Sequence, residues 1–183
     1  MSSDVSAVTF PVRAGNVRSV TVRTVTVDMA ILLAAAAGIA HLISTPAHWR
    51  WWQASGVFFA VITVCQLGVA GLLFMRRTSL SVLMFGIWSN VFVALVYVAS
   101  RVTALPGQPE ITAHHAPKAP GRSFLPARPE GIGPFDMFSL IVELALVVLL
   151  VSLLPEKWRR HTTTVLMVCG LAMWGLTASG ILL

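Results

Sequence analysis

Glu143 is a carboxylic acid inside an apolar run, from Phe135 to Leu154, that is long enough to cross a bilayer. A charged side chain near the centre of a membrane costs about 2.5 to 3.5 kcal/mol even on lenient insertion scales. We therefore expect Glu143 to have a partner, a proton or a metal ion. Several other polar residues lie in or beside apolar runs, and they are the candidates for this role: His41, Gln66, Asn90, Arg101 and Asp136.

Two histidines and two carboxylates in this set would suit a metal site. Asp136 and Glu143 are seven residues apart, which places them on one face of a helix, and His41 and His48 lie at the end of another apolar run. Imidazole and carboxylate together bind copper or zinc. The sequence therefore offers a metal site made of His41, His48, Asp136 and Glu143, although the histidine spacing matches no recognised ligand motif.

Two other interpretations use the same residues. Pairing of His41 with Glu143, and of Asp136 with Arg101, would close a helix bundle without any metal, and Gln66 and Asn90 would then be interhelical hydrogen-bonding groups. Alternatively, Glu143 would carry protons in a small transporter. The structural interpretation is favoured over the metal site, and the metal site over the proton path.

The elements that must position these residues are membrane helices. Apolar residues make up 56% of the 183 residues and charged residues only 11%, which excludes an ordinary soluble domain. Five runs approach the roughly 20 residues that span a bilayer, and we predict an all-α bundle of five transmembrane helices at about 25–44, 56–75, 79–100, 135–154 and 163–183.

The net charge of +6 is distributed unevenly along the chain. One set of short segments holds Arg13, Arg18, Arg23, Arg76, Arg77, Lys157, Arg159 and Arg160; the other set holds Arg50, Arg101, Lys118, Arg122 and Arg128. The positive-inside rule then predicts a multi-pass protein of the inner (plasma) membrane with a cytoplasmic N-terminus and an extracytoplasmic C-terminus. The same rule accounts for much of the charge, so we expect lipid and no nucleic acid as partner.

Three segments lie outside the predicted spans. Residues 1–24 form a basic tail, and the alternation of valine with polar residues from Val20 to Val27 is typical of an extended segment or a strand. Thr45–Ser55 is predicted to be a first outer loop, anchored at the membrane interface by its three tryptophans. Residues 101–134 form a proline-rich outer loop with His114 and His115 near its middle.

Short motifs spread over the first four spans and the long loop carry a resemblance. They include Ala40-His41-Leu42, Pro46-Ala47-His48-Trp49, Gly56-Val57-Phe58-Phe59, Gln66, Asn90, Ser100-Arg101, Leu105-Pro106-Gly107, Glu130-Gly131, Asp136 and Glu143. Together they resemble a group of small, uncharacterised multi-span membrane proteins of actinobacteria. The resemblance implies that these polar residues act as one unit, and it brings no established activity.

The functional expectation follows from what the sequence contains and lacks. It has no recognised catalytic motif, so we do not expect an enzyme. Small size and small-residue helix faces indicate a non-catalytic accessory subunit of a larger membrane complex, such as a respiratory or copper-dependent oxidase or monooxygenase assembly. The alternatives are a copper- or zinc-binding membrane protein and a proton-coupled transporter component.

Overall fold

A computed structural model describes residues 14–75, 78–102 and 134–178. These residues form five helices and no strand: α1 (Ala14–Trp51), α2 (Gln53–Phe74), α3 (Leu80–Val102), α4 (Pro134–Ser152) and α5 (Glu156–Ala178). Helices suit apolar runs because they satisfy every backbone hydrogen bond inside the segment.

Four of the five helices are long and apolar enough to cross a membrane: α1 over Thr21–Trp51, α2, α3 over Leu80–Ser100 and α4 over Phe135–Ser152. Only 28 to 39% of the residues in their apolar windows are buried inside the bundle, so most of their apolar surface faces outward, as lipid contact requires. The predicted fifth span, 163–183, is described only as far as Ala178, and α5 does not meet the same criterion over its described length.

Helices α1 to α4 pack in a closed ring, in which α1 contacts α2 and α4, and α3 contacts α2 and α4. Half of this ring is filled by an apolar core of small and branched residues, which includes Val27, Ala30, Ala34, Val69, Leu73, Leu83, Ile87, Leu146 and Leu150. Alanines on α1 allow close approach of the neighbouring helices. We call this part, toward the start of α1 and the end of α4, the packed half.

The first helix corrects two sequence predictions. It begins at Ala14, within the predicted tail, and the valine-rich segment before Asp28 is helical rather than extended. It also continues through Pro46 to Trp51, where an outer loop was predicted. Pro46 lacks an N–H, so the carbonyl of Leu42 loses its usual helical donor. One position earlier, Thr45 donates a hydrogen bond from Oγ1 to the carbonyl of His41 (2.8 Å).

The connection between α1 and α2 is therefore a single residue. Trp52 is extended (φ −156°, ψ 115°), and its N–H donates to the carbonyl of His48 at 2.8 Å. Gly56 makes this tight turn possible, because a Cβ there would lie 2.6 Å from the Cα of Trp49. The turn fixes the register between α1 and α2.

Helix α5 differs from the other four. Its first turn is polar and contains the exposed i,i+4 pair of Glu156 with Arg160. Its later side chains are largely uncovered, with Met167, Val168, Leu171 and Trp174 between 60 and 71% exposed. Thus α5 is attached mainly near α4, and it contributes little to the ring.

Candidate functional site: a polar belt beneath an aromatic cavity

Each helix of the ring contributes one polar side chain to the interior at a similar depth. These residues are His41 on α1, Gln66 on α2, Asn90 on α3 and Glu143 on α4, and each is at most 6% exposed. With a rise of about 1.5 Å per residue, they lie roughly 13 to 20 Å from the helix ends on the side of the α1–α2 turn. We call this set the polar belt.

The belt is a continuous hydrogen-bonded chain. His41 Nε2 lies 2.6 Å from Glu143 Oε1, and Gln66 Nε2 donates both to Glu143 Oε1 at 3.3 Å and to Asn90 Oδ1 at 3.0 Å. Asn90 Nδ2 in turn donates to the carbonyl of Gly86 at 2.7 Å. The chain links all four helices of the ring.

The geometry fixes the orientation of the Gln66 amide. Its nitrogen faces two acceptors, and rotation of the amide would set oxygen against oxygen at both contacts. As a result, Gln66 Oε1 is buried and has no hydrogen-bond partner among the described residues. An unsatisfied buried carbonyl costs stability.

The His41–Glu143 contact needs one proton between Nε2 and Oε1, carried by either group. Both hydrogen bonds of the Glu143 carboxyl to described residues use Oε1, and the ring of His41 uses only Nε2. Within the described part of the chain, Glu143 Oε2 and His41 Nδ1 therefore have no hydrogen-bond partner. Both residues line the cavity described next, so they can offer these atoms to a bound molecule.

A cavity of about 260 Å³ lies between the belt and the ends of the helices at the α1–α2 turn. Its walls are mainly aromatic and come from all four ring helices: Phe58, Phe59, Phe92, Tyr97 and Phe135, with Trp51 and Trp52 nearest the turn. His41 and Glu143 form its polar floor. We call this part of the bundle the hollow half.

Phe59 connects the two histidines of α1. The ring of His48 stacks on Phe59 with a centroid distance of 3.8 Å, and His41 meets the same ring edge-on at 5.3 Å. His48 Nδ1 is also 3.1 Å from Ser55 Oγ. Because α1 stays helical through Pro46, the two histidines share one face.

The four predicted metal ligands all line the cavity, yet they do not assemble as a coordination sphere. His41 and Glu143 are in contact, whereas His48 bonds Ser55. Across residues 14–75, 78–102 and 134–178, no three His, Cys, Asp or Glu side chains come together as a metal site requires. The metal site thus stays a prediction, now with two adjacent donors.

Other predicted residues fall partly outside the described structure. Arg101 lies in the last turn of α3, but its side chain is not described, so the predicted Asp136–Arg101 pair stays a prediction. His114 and His115 also lie outside the described residues. The aromatic wall was not predicted at all, since an aromatic ring in an apolar span gives no sign of whether it faces lipid or a cavity.

Comparison of this chain with protein-family models, with curated proteins and with solved structures finds no match. The functional argument therefore depends on the geometry of the cavity and the belt.

Proposed function

We propose that this chain is a membrane protein that binds, without catalysis, a small and largely apolar molecule carrying one polar group. A single observation carries the proposal: an aromatic cavity ends on a buried His–Glu pair that retains unused hydrogen-bonding atoms. Apolar pockets with a few convergent polar groups are typical of small-molecule sites.

The floor and the walls would recognise different parts of the ligand. Glu143 Oε2 accepts a hydrogen bond, and His41 Nδ1 accepts or donates one, depending on where the shared proton lies. The aromatic rings of the walls would contact the apolar part of the ligand. The rest of the belt, Gln66 and Asn90, holds the Glu143 carboxyl in place from behind.

The position of the cavity supports entry from the membrane interface. Trp51 and Trp52 lie at the α1–α2 turn, and tryptophan side chains prefer the headgroup layer. An amphipathic molecule concentrates in the same layer, so it would meet the cavity without crossing the hydrocarbon core.

Heavy-atom quenching of tryptophan tests this proposal. The protein is placed in nanodiscs and titrated with 4-bromobenzyl alcohol, which has an apolar ring, one hydroxyl and a quenching bromine. We expect saturable quenching that is reduced in a Trp51→Phe, Trp52→Phe double variant. The matched control is Trp174→Phe, since Trp174 lies on α5 and does not line the cavity.

Two results would overturn the proposal. One is quenching that rises linearly with the amount of probe in the bilayer, because simple partitioning does not saturate. The other is quenching that falls as much in Trp174→Phe as in the Trp51→Phe, Trp52→Phe variant, because the probe would then have no preference for the cavity.

Orientation in the plasma membrane is part of the proposal. The distribution of basic residues supports a cytoplasmic N-terminus. If α5 completes a fifth span, the C-terminus lies on the opposite side; if it lies along the surface, both termini share one side. A reporter at each end of the chain distinguishes these cases, and we expect opposite sides.

Association with other membrane subunits is a second candidate function. Its support is the exposed apolar surface of α5, where Gly170 and Gly175 have open space around the position of a Cβ. Small residues of this kind permit close helix contact. Purification from native membranes in mild detergent should recover companion proteins, and a monodisperse monomer would contradict this idea.

A further inference from the structure

The cavity places carboxyl groups and aromatic rings around one space. Apart from the two histidines, the cavity-lining residues that can carry a formal charge are acids: Glu143 at the floor, and Asp136 nearer the start of α4, which has an interaction partner of its own. No lysine or arginine is among the lining residues that the structure describes. Glu143 is therefore the acid of the lining that can favour a positive charge in a ligand.

The hydrogen bonds of the His–Glu pair support a floor that keeps negative charge. Nε2–H of a neutral His41 ring can donate to Glu143 Oε1, and Gln66 donates to the same oxygen. A protonated ring would need a second acceptor for Nδ1–H, and the described residues supply none. The remaining oxygen, Oε2, then carries an unpaired share of the carboxylate charge.

Aromatic rings add a second attraction for a cation. A cation within about 6 Å of a ring centroid is drawn to the negative face of the ring, most strongly when both are removed from water, and aromatic cages recognise quaternary ammonium groups in this way. Phe59 is held in place by two histidine rings, and Phe58 packs against Phe92 at a centroid distance of 6.3 Å. The walls are thus partly preorganised.

We infer that the ligand of this cavity is an amphipathic organic cation, whose positive group lies near Glu143 Oε2 and among the aromatic rings. The inference rests on the proposed function and specifies its ligand class. A neutral ligand of the same shape would gain the apolar contacts but neither the carboxylate contact nor the cation–ring attraction.

An isosteric pair of compounds tests the inference directly. Benzyltrimethylammonium and neopentylbenzene have the same shape and differ by one nitrogen and its charge. Each is used to displace 4-bromobenzyl alcohol from the protein in nanodiscs of zwitterionic lipid, so that the cation is not concentrated by surface charge. The concentration of each compound is expressed as its concentration in the bilayer. On this scale, we expect the cation to reach half-displacement at a concentration on the order of tenfold lower than the hydrocarbon.

The variant Glu143→Gln tests whether Glu143 causes the preference for the cation over the hydrocarbon. Glutamine keeps the size of the side chain and removes its negative charge. We therefore expect the ratio of the two half-displacement concentrations to fall well below tenfold, while the cation–ring attraction remains. Glu156→Gln is the matched control, because Glu156 is exposed at the start of α5, and it should leave the advantage intact.

The outcomes separate the two proposals. Equal displacement by both compounds in the parent protein overturns the cation inference and leaves the binding function standing. An undiminished tenfold advantage in Glu143→Gln also overturns it. If 4-bromobenzyl alcohol shows no saturable binding, the binding function itself fails. If Glu143→Gln does not fold, the comparison of the two compounds on the parent protein still tests the cation inference.

Discussion

The two halves of the same four-helix ring differ in how their interiors are filled. In the packed half, the core cluster consists of alanine, valine, leucine and isoleucine side chains. In the hollow half, larger aromatic residues line a cavity of about 260 Å³ instead of closing it. The polar belt separates the two. The comparison teaches that large side chains do not by themselves make a dense core.

The largest expected effect comes from breaking the belt that divides the halves. His41→Leu leaves Glu143 without its partner in an apolar interior, and removal of one member of a buried pair costs about 3 to 5 kcal/mol. Unfolding titration in mixed detergent micelles measures the loss. Leu42→Ala, at an exposed neighbour on α1, is the control and should change stability by less than about 0.5 kcal/mol.

A double variant sharpens this result. His41→Leu combined with Glu143→Leu removes both polar groups, so it should recover most of the lost stability, since replacing a buried pair by apolar residues is often neutral. Loss of stability in the double variant equal to that in the single one would contradict the view that an uncompensated Glu143 is the cause.

The second prediction compares the same substitution in both halves of α4. Leu150→Ala in the packed half removes a fully buried side chain and should cost about 2 to 5 kcal/mol. Leu140→Ala in the hollow half should cost less than half as much, because Leu140 borders the cavity and makes fewer contacts. Equal losses in the unfolding titration would mean that the hollow half is as densely packed as the other.

The third prediction concerns the turn that holds the hollow half together. Gly56→Ala forces a Cβ against the backbone of Trp49 and should cost about 1 to 3 kcal/mol. Gly68→Ala on the same helix meets open space and should be neutral or stabilising by about 0.5 to 1 kcal/mol. The same sign of change in both variants would argue against a tight α1–α2 turn.

Much of the bundle could be predicted from the sequence because apolar runs in lipid have few alternatives to helices. The four spans of the ring and the contact of His41 with Glu143 follow from apolar length and from the cost of an unpaired carboxyl. The strand suggested for Val20–Val27 was wrong, because β-propensity reflects packing context more than the backbone itself. The first span was also predicted to end at about residue 44, whereas α1 continues through Pro46 to Trp51.

The cavity could not be predicted, because it depends on which way rings point and on the register between helices. Phe59 and Phe92 read as ordinary members of apolar runs, and only the α1–α2 turn at Trp52 brings His48 onto Phe59. Hydropathy describes each helix separately, whereas a cavity is a property of four helices together.

Filling the cavity tests the central claim most directly. Ser139→Phe places a ring among the residues that line the cavity, so we predict a folded protein that no longer shows saturable quenching by 4-bromobenzyl alcohol. Ala34→Phe, at a fully buried site of the packed half, should instead destabilise the bundle by about 1 to 3 kcal/mol or more. Undiminished binding by Ser139→Phe, with its fold intact, would contradict the assignment of ligand binding to the hollow half.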